Sequence, residues 1–144
     1  MGVVLGAVVL LVMGFGLYVR LAPSDPALWH VAPSPASTTD CTVEQGYGDA
    51  RATCLLSLPP GQALAKLDAI AMATPRTTRL AGSAEEGRIT WITRSALWGF
   101  PDYTTAEATP DGAGTSLTLY ARLRFGSGDL GINAARLRDW LPKL

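Results

Sequence analysis

Three glycines near the carboxyl end, Gly126, Gly128 and Gly131, spell GxGxxG between a strand-like run and a helix-like one. With that spacing, backbone amides can cradle a dinucleotide pyrophosphate. The chemistry also needs a βαβ unit and an acidic side chain about twenty residues further on, whereas the chain stops thirteen residues after Gly131. The glycines are therefore read as geometric, a tight strand-to-helix junction in which Asp129 accepts hydrogen bonds from nearby amides. The remaining chemistry-bearing side chains are guanidiniums and one carboxylate: Arg94, Arg122, Arg124 and Asp102. If the turn Thr109–Gly114 centres a hairpin, facing residue numbers sum to about 223 or 224, which sets Asp102 opposite or diagonal to Arg122. The ion pair expected there is either scaffolding or, with Arg94 and Arg124 beside it, part of an anion-receiving groove. Candidate ligand or partner contacts are thus Arg94, Asp102, Arg122, Arg124, Asp129 and Asn133.

Other chemistries have little material. The single histidine, His30, lies in a proline-rich stretch outside the folded domain, no serine or cysteine stands beside an evident base, and no matched carboxylate pair is visible, so no enzyme is expected. Two cysteines without a CxxC or HxxxH spacing predict no metal, and no cofactor is expected. Lys plus Arg balances Asp plus Glu at 12 each, leaving no basic field for nucleic acid.

The elements that must position these residues begin with Met1–Val19, which carries no charged side chain and, at about 1.5 Å per residue, nearly spans a hydrocarbon core of roughly 30 Å. We read residues 1–20 as a transmembrane anchor contacting the lipid bilayer. The competing reading is a cleaved signal peptide, against which stand the missing basic residue before the run, its length and a poor small-x-small site in RLAPSD. Residues 21–39, with Pro23, Pro26, Pro33 and Pro35, read as an extended tether; Trp29 within it either lies at headgroup level or packs on the domain. Cys41 and Cys54 are spaced to close a disulfide in an oxidising periplasm, the alternative being two unpaired thiols.

Residues 40–144 form the domain. Ala52–Leu58 reads as a strand ended by Pro59, Pro60 and Gly61; Gln62–Ala73 as a helix with Leu64, Leu67, Ile70 and Ala71 on one face; Arg76–Ala81, Arg88–Ser95 and Asp102–Ala108 as strands. The clearest pattern is Leu117, Leu119, Ala121, Leu123 and Phe125 alternating with Ser116, Thr118, Tyr120, Arg122 and Arg124, a period of two with one apolar and one polar face. Asn133 is a good N-cap for a last helix, Ala134–Leu141, with the stripe Ala134, Leu137, Trp140 and Leu141. Trp91, Trp98 and Phe100 are expected in the core rather than around a pocket. The order predicts an α+β fold: an N-terminal transmembrane helix, then a small antiparallel sheet with two helices on one face.

At WITRSALWGFPDYTTAEA (Trp91–Ala108) and RLRFGSGDLGIN (Arg122–Asn133), with Arg136 following, the chain resembles the family catalogued as domain of unknown function 1499, over roughly Ala52–Leu144. The opening GLYVRLAPSDPALWHV resembles the short, membrane-anchored alphaproteobacterial members. Arg122, Gly126, Asp129, Gly131 and Asn133 match the family string, whereas Leu123 and Gly128 stand where it has serines, the second removing a loop hydroxyl. The resemblance implies fold and placement but no established activity.

The combined expectation is a single-pass protein of the bacterial inner membrane with a periplasmic, non-catalytic interaction domain, for example an accessory subunit of a bioenergetic membrane complex, whose partner is another membrane protein or complex. The alternative is a small-molecule, anion or lipid-binding envelope module using the sheet face around Arg94, Arg122 and Arg124.

Overall fold

A computed structural model describes residues 2–144. Helix α1 (Gly2–Leu21) has a mean hydropathy of 2.4 and is long and apolar enough to cross a membrane, a test that an amino-terminal signal sequence also passes. After it come a single helical turn, α2 (Pro26–Trp29), then β1 (Glu44–Gln45), β2 (Asp49–Leu56), α3 (Pro60–Ala73), β3 (Thr77–Ser83), β4 (Arg88–Arg94), β5 (Pro101–Asp111), β6 (Gly114–Leu123), α4 (Ile132–Trp140) and a closing 3-10 turn (Leu141–Lys143). The six strands form one antiparallel sheet in the order β1-β2-β6-β5-β4-β3. The α+β arrangement with an apolar amino-terminal helix is the one the patterning predicts.

Helices α3 and α4 cover one face of the sheet. The apolar row of β6, Leu117, Leu119 and Ala121, meets Leu64, Leu67 and Ala71 of α3 and Ala134, Leu137 and Trp140 of α4, all but excluded from solvent. Trp91 belongs to this core, as expected, edge-on to Trp140 with ring centroids 5.8 Å apart. Both indole N–H groups are satisfied, Trp91 Nε1 donating to Asp68 Oδ1 (2.8 Å) and Trp140 Nε1 to Thr74 Oγ1 (2.9 Å), so burying two large amphipathic rings leaves no orphaned donor.

Trp98 and Phe100, by contrast, are not core. The β4–β5 loop carries them out to α1, where Phe15 meets Phe100 (6.2 Å) and Tyr18 meets Phe125 (6.0 Å). Arg20, the last basic residue of α1, donates from Nη2 to Leu97 O (3.0 Å) and from Nε to Trp98 O (3.3 Å). The loop gets close enough because Gly99 sits at φ +73, with the Arg20 stem 3.1 Å from where a Cβ would be.

The proline-rich spacer is not a free tether. Its composition keeps it extended, but Trp29, His30 and the carbonyls of Pro23 and Trp29 lie on the polar face of the sheet. Trp29 stacks on Tyr103 at 3.8 Å and 7°. Ser24 Oγ shares a hydrogen bond with the Tyr103 hydroxyl (2.6 Å), His30 Nδ1 one with Thr90 Oγ1 (2.9 Å), and Ala36 N donates to Thr53 Oγ1 (3.1 Å). Of the two readings of Trp29, the structure selects packing on the domain. Such a strap orders otherwise floppy chain, and the stacked indole is its largest contact. Trp29→Ala is therefore expected to lower unfolding free energy by about 2 kcal/mol, less than a fully buried tryptophan would cost. Hydrogen exchange should show residues 22–37 opening while the core strands stay protected.

The strap ends in a covalent pin. Cys41 and Cys54 are joined by a disulfide, with Cα atoms 4.4 Å apart, beside the bridge pairing Asp40 with Cys54.

Candidate functional site

The β5–β6 hairpin turns on two residues, Gly112 and Ala113, so Asp111 pairs with Gly114 and every facing pair sums to 225. This register is one step beyond the expected one, and its consequence is large because the side-chain period of a strand is two. Asp102 pairs with Leu123 and points to the helix face, whereas Arg122 pairs with Tyr103 and points to the strap face. The expected Asp102–Arg122 ion pair is therefore absent. The partner of Asp102 is Arg136 of α4, at 3.4 Å, with only 14% and 8% of the two side chains exposed.

Arg122 and Arg124 serve the strap instead of an outside ligand. Arg122 Nη2 donates to Trp29 O (2.6 Å) and its guanidinium lies between the Trp29 and Tyr120 rings, 5.3 and 5.0 Å from their centroids. Arg124 Nη1 donates to Pro23 O (2.9 Å) and to the Tyr103 hydroxyl (3.1 Å). The proposed groove around Arg94, Arg122 and Arg124 does not form, since the spacer covers one side of it and Arg94 lies elsewhere.

The glycine-rich junction behaves as geometry predicts. Gly126 and Gly131 take positive φ (+98 and +80), Asp129 Oδ1 accepts from Gly131 N (3.0 Å) and its Oδ2 from Asn133 N (2.9 Å). Asp129 thereby caps α4 from two residues before Gly131, which holds the formal N-cap position, and the helix starts at Ile132. Asn133 is thus not the cap. It lies in the first turn, fully buried, where its Oδ1 accepts from Arg136 Nη1 (2.5 Å) and its Nδ2 finds no partner among the described residues.

Of this junction Gly128 and Asp129, together with the Asp102–Arg136 pair, line a cavity of about 320 Å³ at the α1 end of the sheet. Arg94, at the end of β4, enters its wall, with Nη1 donating to Gly99 O (2.9 Å). Two further arginines that sequence reasoning left unassigned complete it. Arg136 entered that reading only as a neighbour of the family string, although its i+3 spacing from Asn133 sets both on one helix face. Arg76 looked like the first residue of a strand; it sits instead at φ +58 just before β3, its Nε donating to Arg94 O (3.0 Å) while Arg94 N donates to Arg76 O (3.0 Å). Phe100, Leu123, Phe125, Leu130 and Ile132 supply the apolar wall.

Burial pushes the Asp102 carboxyl above the ordinary carboxylate range, outweighing the attraction of Arg136. Burial also lowers the Arg136 guanidinium, which nevertheless remains a cation at any physiological pH. The native carboxyl holds its proton more tightly than the unfolded chain, whose aspartates titrate near about 3.9. Its contribution is complete below that value and is lost as pH rises through the elevated native pKa. Asp40 and Glu44 work the other way, held low chiefly by hydrogen bonds from Thr38 and Ser37. The clean measurement is therefore the difference in urea midpoint between wild type and Asp102→Asn from pH 3 to 7. The wild type is expected to lose stability relative to the variant as pH rises across this window.

Comparison with known proteins places this geometry in a family. The family described as Protein of unknown function (DUF1499) matches residues 30–144, most of the chain, and the protein belongs to it. The match starts at His30 and so takes in the rest of the strap as well as the sheet. Among solved structures the chain is similar to protein Ms6760 from Mycobacterium smegmatis, at 12% identity over 71% of this chain and 85% of that one, with a TM-score of 0.31, a likeness too loose to transfer fold or function. A search among curated proteins finds no significant match.

Proposed function

We propose that this protein is a single-pass protein of the bacterial inner membrane whose domain stands on the periplasmic side and works, without catalysing a reaction, as an interaction module for another membrane protein, in concrete form an accessory subunit of a membrane complex such as a bioenergetic one. The observation that carries the reading is the double attachment of the domain to its own anchor: Arg20 holds the Leu97 and Trp98 carbonyls, and residues 22–37 are laid along the sheet. A domain on a long free tether can search the solution for soluble partners. One fastened in this way meets what lies in the plane of the bilayer. The disulfide supports the periplasmic side, since such bonds persist in oxidising compartments.

The surface offered to a partner lies next to the glycine-rich junction, where Leu130 is 99% and Tyr47 78% exposed. Large apolar side chains grouped in this way mark interaction sites more often than isolated ones do. A photo-crosslinking residue placed at Leu130 in cells, followed by mild detergent extraction, is expected to yield a discrete adduct with a membrane protein that also copurifies. A chain that runs alone with no adduct would overturn the reading.

A further inference from the structure

We propose that the cavity at the α1 end of the sheet receives the phosphate of an anionic lipid headgroup, gripped by Arg76 and Arg94, with the acyl chains leaving along the groove between α1 and the β4–β5 loop. This deepens the membrane-surface reading above and rests on it.

Charge selects the headgroup. Of the two carboxylates at the cavity, Asp129 is engaged by the amides of Gly131 and Asn133, and Asp102 by Arg136. Neither neutralises Arg76 or Arg94, whose recorded contacts are to carbonyl oxygens: Arg76 Nε to Arg94 O and Arg94 Nη1 to Gly99 O. Each bond uses one edge of a guanidinium, and among the described residues none accepts from either Nη group of Arg76. Planar guanidiniums suit phosphate because two N–H groups meet two oxygens at once. The bond from Arg76 Nε to Arg94 O holds one fork and that from Arg94 Nη1 to Gly99 O the other, while Arg94 N donating to Arg76 O ties the two backbones together before any ligand arrives.

Apolar continuity selects a lipid over a free anion. Phe100 is a wall of the cavity and also of a second groove, lined with Leu11, Val12, Phe15 and Trp98, which has almost no polar lining. From Leu11 to Arg20 is nine residues, about 13 Å along a helix, so the groove descends well below the level of Arg20 and into the depth that acyl chains occupy when α1 spans the bilayer. A hydrated phosphate ion gains nothing from such walls, whereas a lipid uses the polar cavity and the apolar groove together.

The test uses the full-length chain in neutral detergent, offered equal amounts of phosphatidylcholine and phosphatidylglycerol, with retained lipid read by native mass spectrometry. Both lipids present a phosphate, but the choline of phosphatidylcholine brings a second cation up to the two guanidiniums, so the phosphatidylglycerol adduct is expected to dominate by about tenfold. Arg76→Gln combined with Arg94→Gln should erase the preference, while Arg138→Gln, on the exposed side of α4, should leave it intact. Arg76→Gln alone, at an exposed side chain, reads the same contact if the double variant does not fold. Equal retention of the two lipids, or a preference that survives loss of Arg76 and Arg94, would overturn the assignment. Displacement of the lipid by inorganic phosphate at equal concentration would overturn the lipid source and leave a free-anion site. Because retention is read on the isolated chain, its failure is separable from a failure to crosslink a protein neighbour.

Discussion

Replacing Asp102 by alanine is expected to cost the domain about 3–5 kcal/mol, the largest effect of any single substitution outside the apolar core. The reason is the state in which it leaves Arg136, whose side chain is 8% exposed and whose other recorded contact is Asn133 Oδ1. A buried guanidinium cannot shed its proton, and alanine, unlike a protonated Asp102, leaves its Nη2 with no oxygen to donate to, so a desolvated cation is stranded. A typical domain has about 5–15 kcal/mol in all, so the variant should unfold at a much lower urea concentration or accumulate poorly. The mechanism can be separated from a mere packing defect. Replacing both partners with apolar residues of similar size, Asp102→Leu with Arg136→Met, is expected to recover most of the loss, because no charge then remains buried. If the double variant is as unstable as Asp102→Ala, the cost lies in shape and the ion pair is incidental.

Breaking the disulfide should cost about 3 kcal/mol. Cys41 and Cys54 are 13 apart in sequence, and closing a loop of that size removes roughly that much entropy from the unfolded chain. Its position adds a local effect. Cys54 is fully buried in β2, against Leu117 of β6, while Cys41 ends the segment that leads from the strap into the sheet. Reduction or Cys54→Ser should therefore lower the global urea midpoint and also free residues 36–44, where Ser37 and Glu44 are hydrogen-bonded, before the core opens. Expression in a reducing compartment should give a chain that binds thiol reagents and is cleaved quickly in this stretch. A periplasmic sample should resist both.

The sheet was legible because its signal is local. The alternation from Ser116 to Leu123 needs no partner to be recognised, and helix α3, with Leu64, Leu67 and Ala71, shows its period within three turns. What was not legible is what depends on one residue more or less, or on groups far apart in the chain. The turn at Gly112–Ala113 differs from the expected centre by half a residue to one residue, yet this moves Asp102 to the other face and exchanges Arg122 for Arg136 as its partner. The strap was unreadable for a different reason. Its composition has no periodicity, and the groups that hold it, such as Tyr103, Arg122 and Arg124, lie 74 or more residues away on strands whose polar face resembles one turned to solvent. Asp129 was correctly read as a receiver of amide hydrogen bonds because an Asp between glycines acts on its own neighbours. Arg76 was missed because its role rests on a positive φ that only the fold reveals.

Contacts from Arg20 and Phe15 fasten the domain to α1 at a fixed height, with the β4–β5 loop lying beside the apolar stretch of that helix. A spin label at position 97, introduced as Leu97→Cys in the full-length protein in lipid nanodiscs, tests this directly, because Leu97 is exposed in the protein alone yet precedes Trp98, a wall of the groove formed with Leu11, Val12 and Phe15. A second label, Ala113→Cys, sits at the opposite end of the hairpin as a reference. The label at 97 is expected to be accessible to oxygen and shielded from a water-soluble nickel relaxant, with the reverse at 113. Equal and full accessibility of both labels to the nickel relaxant would contradict it.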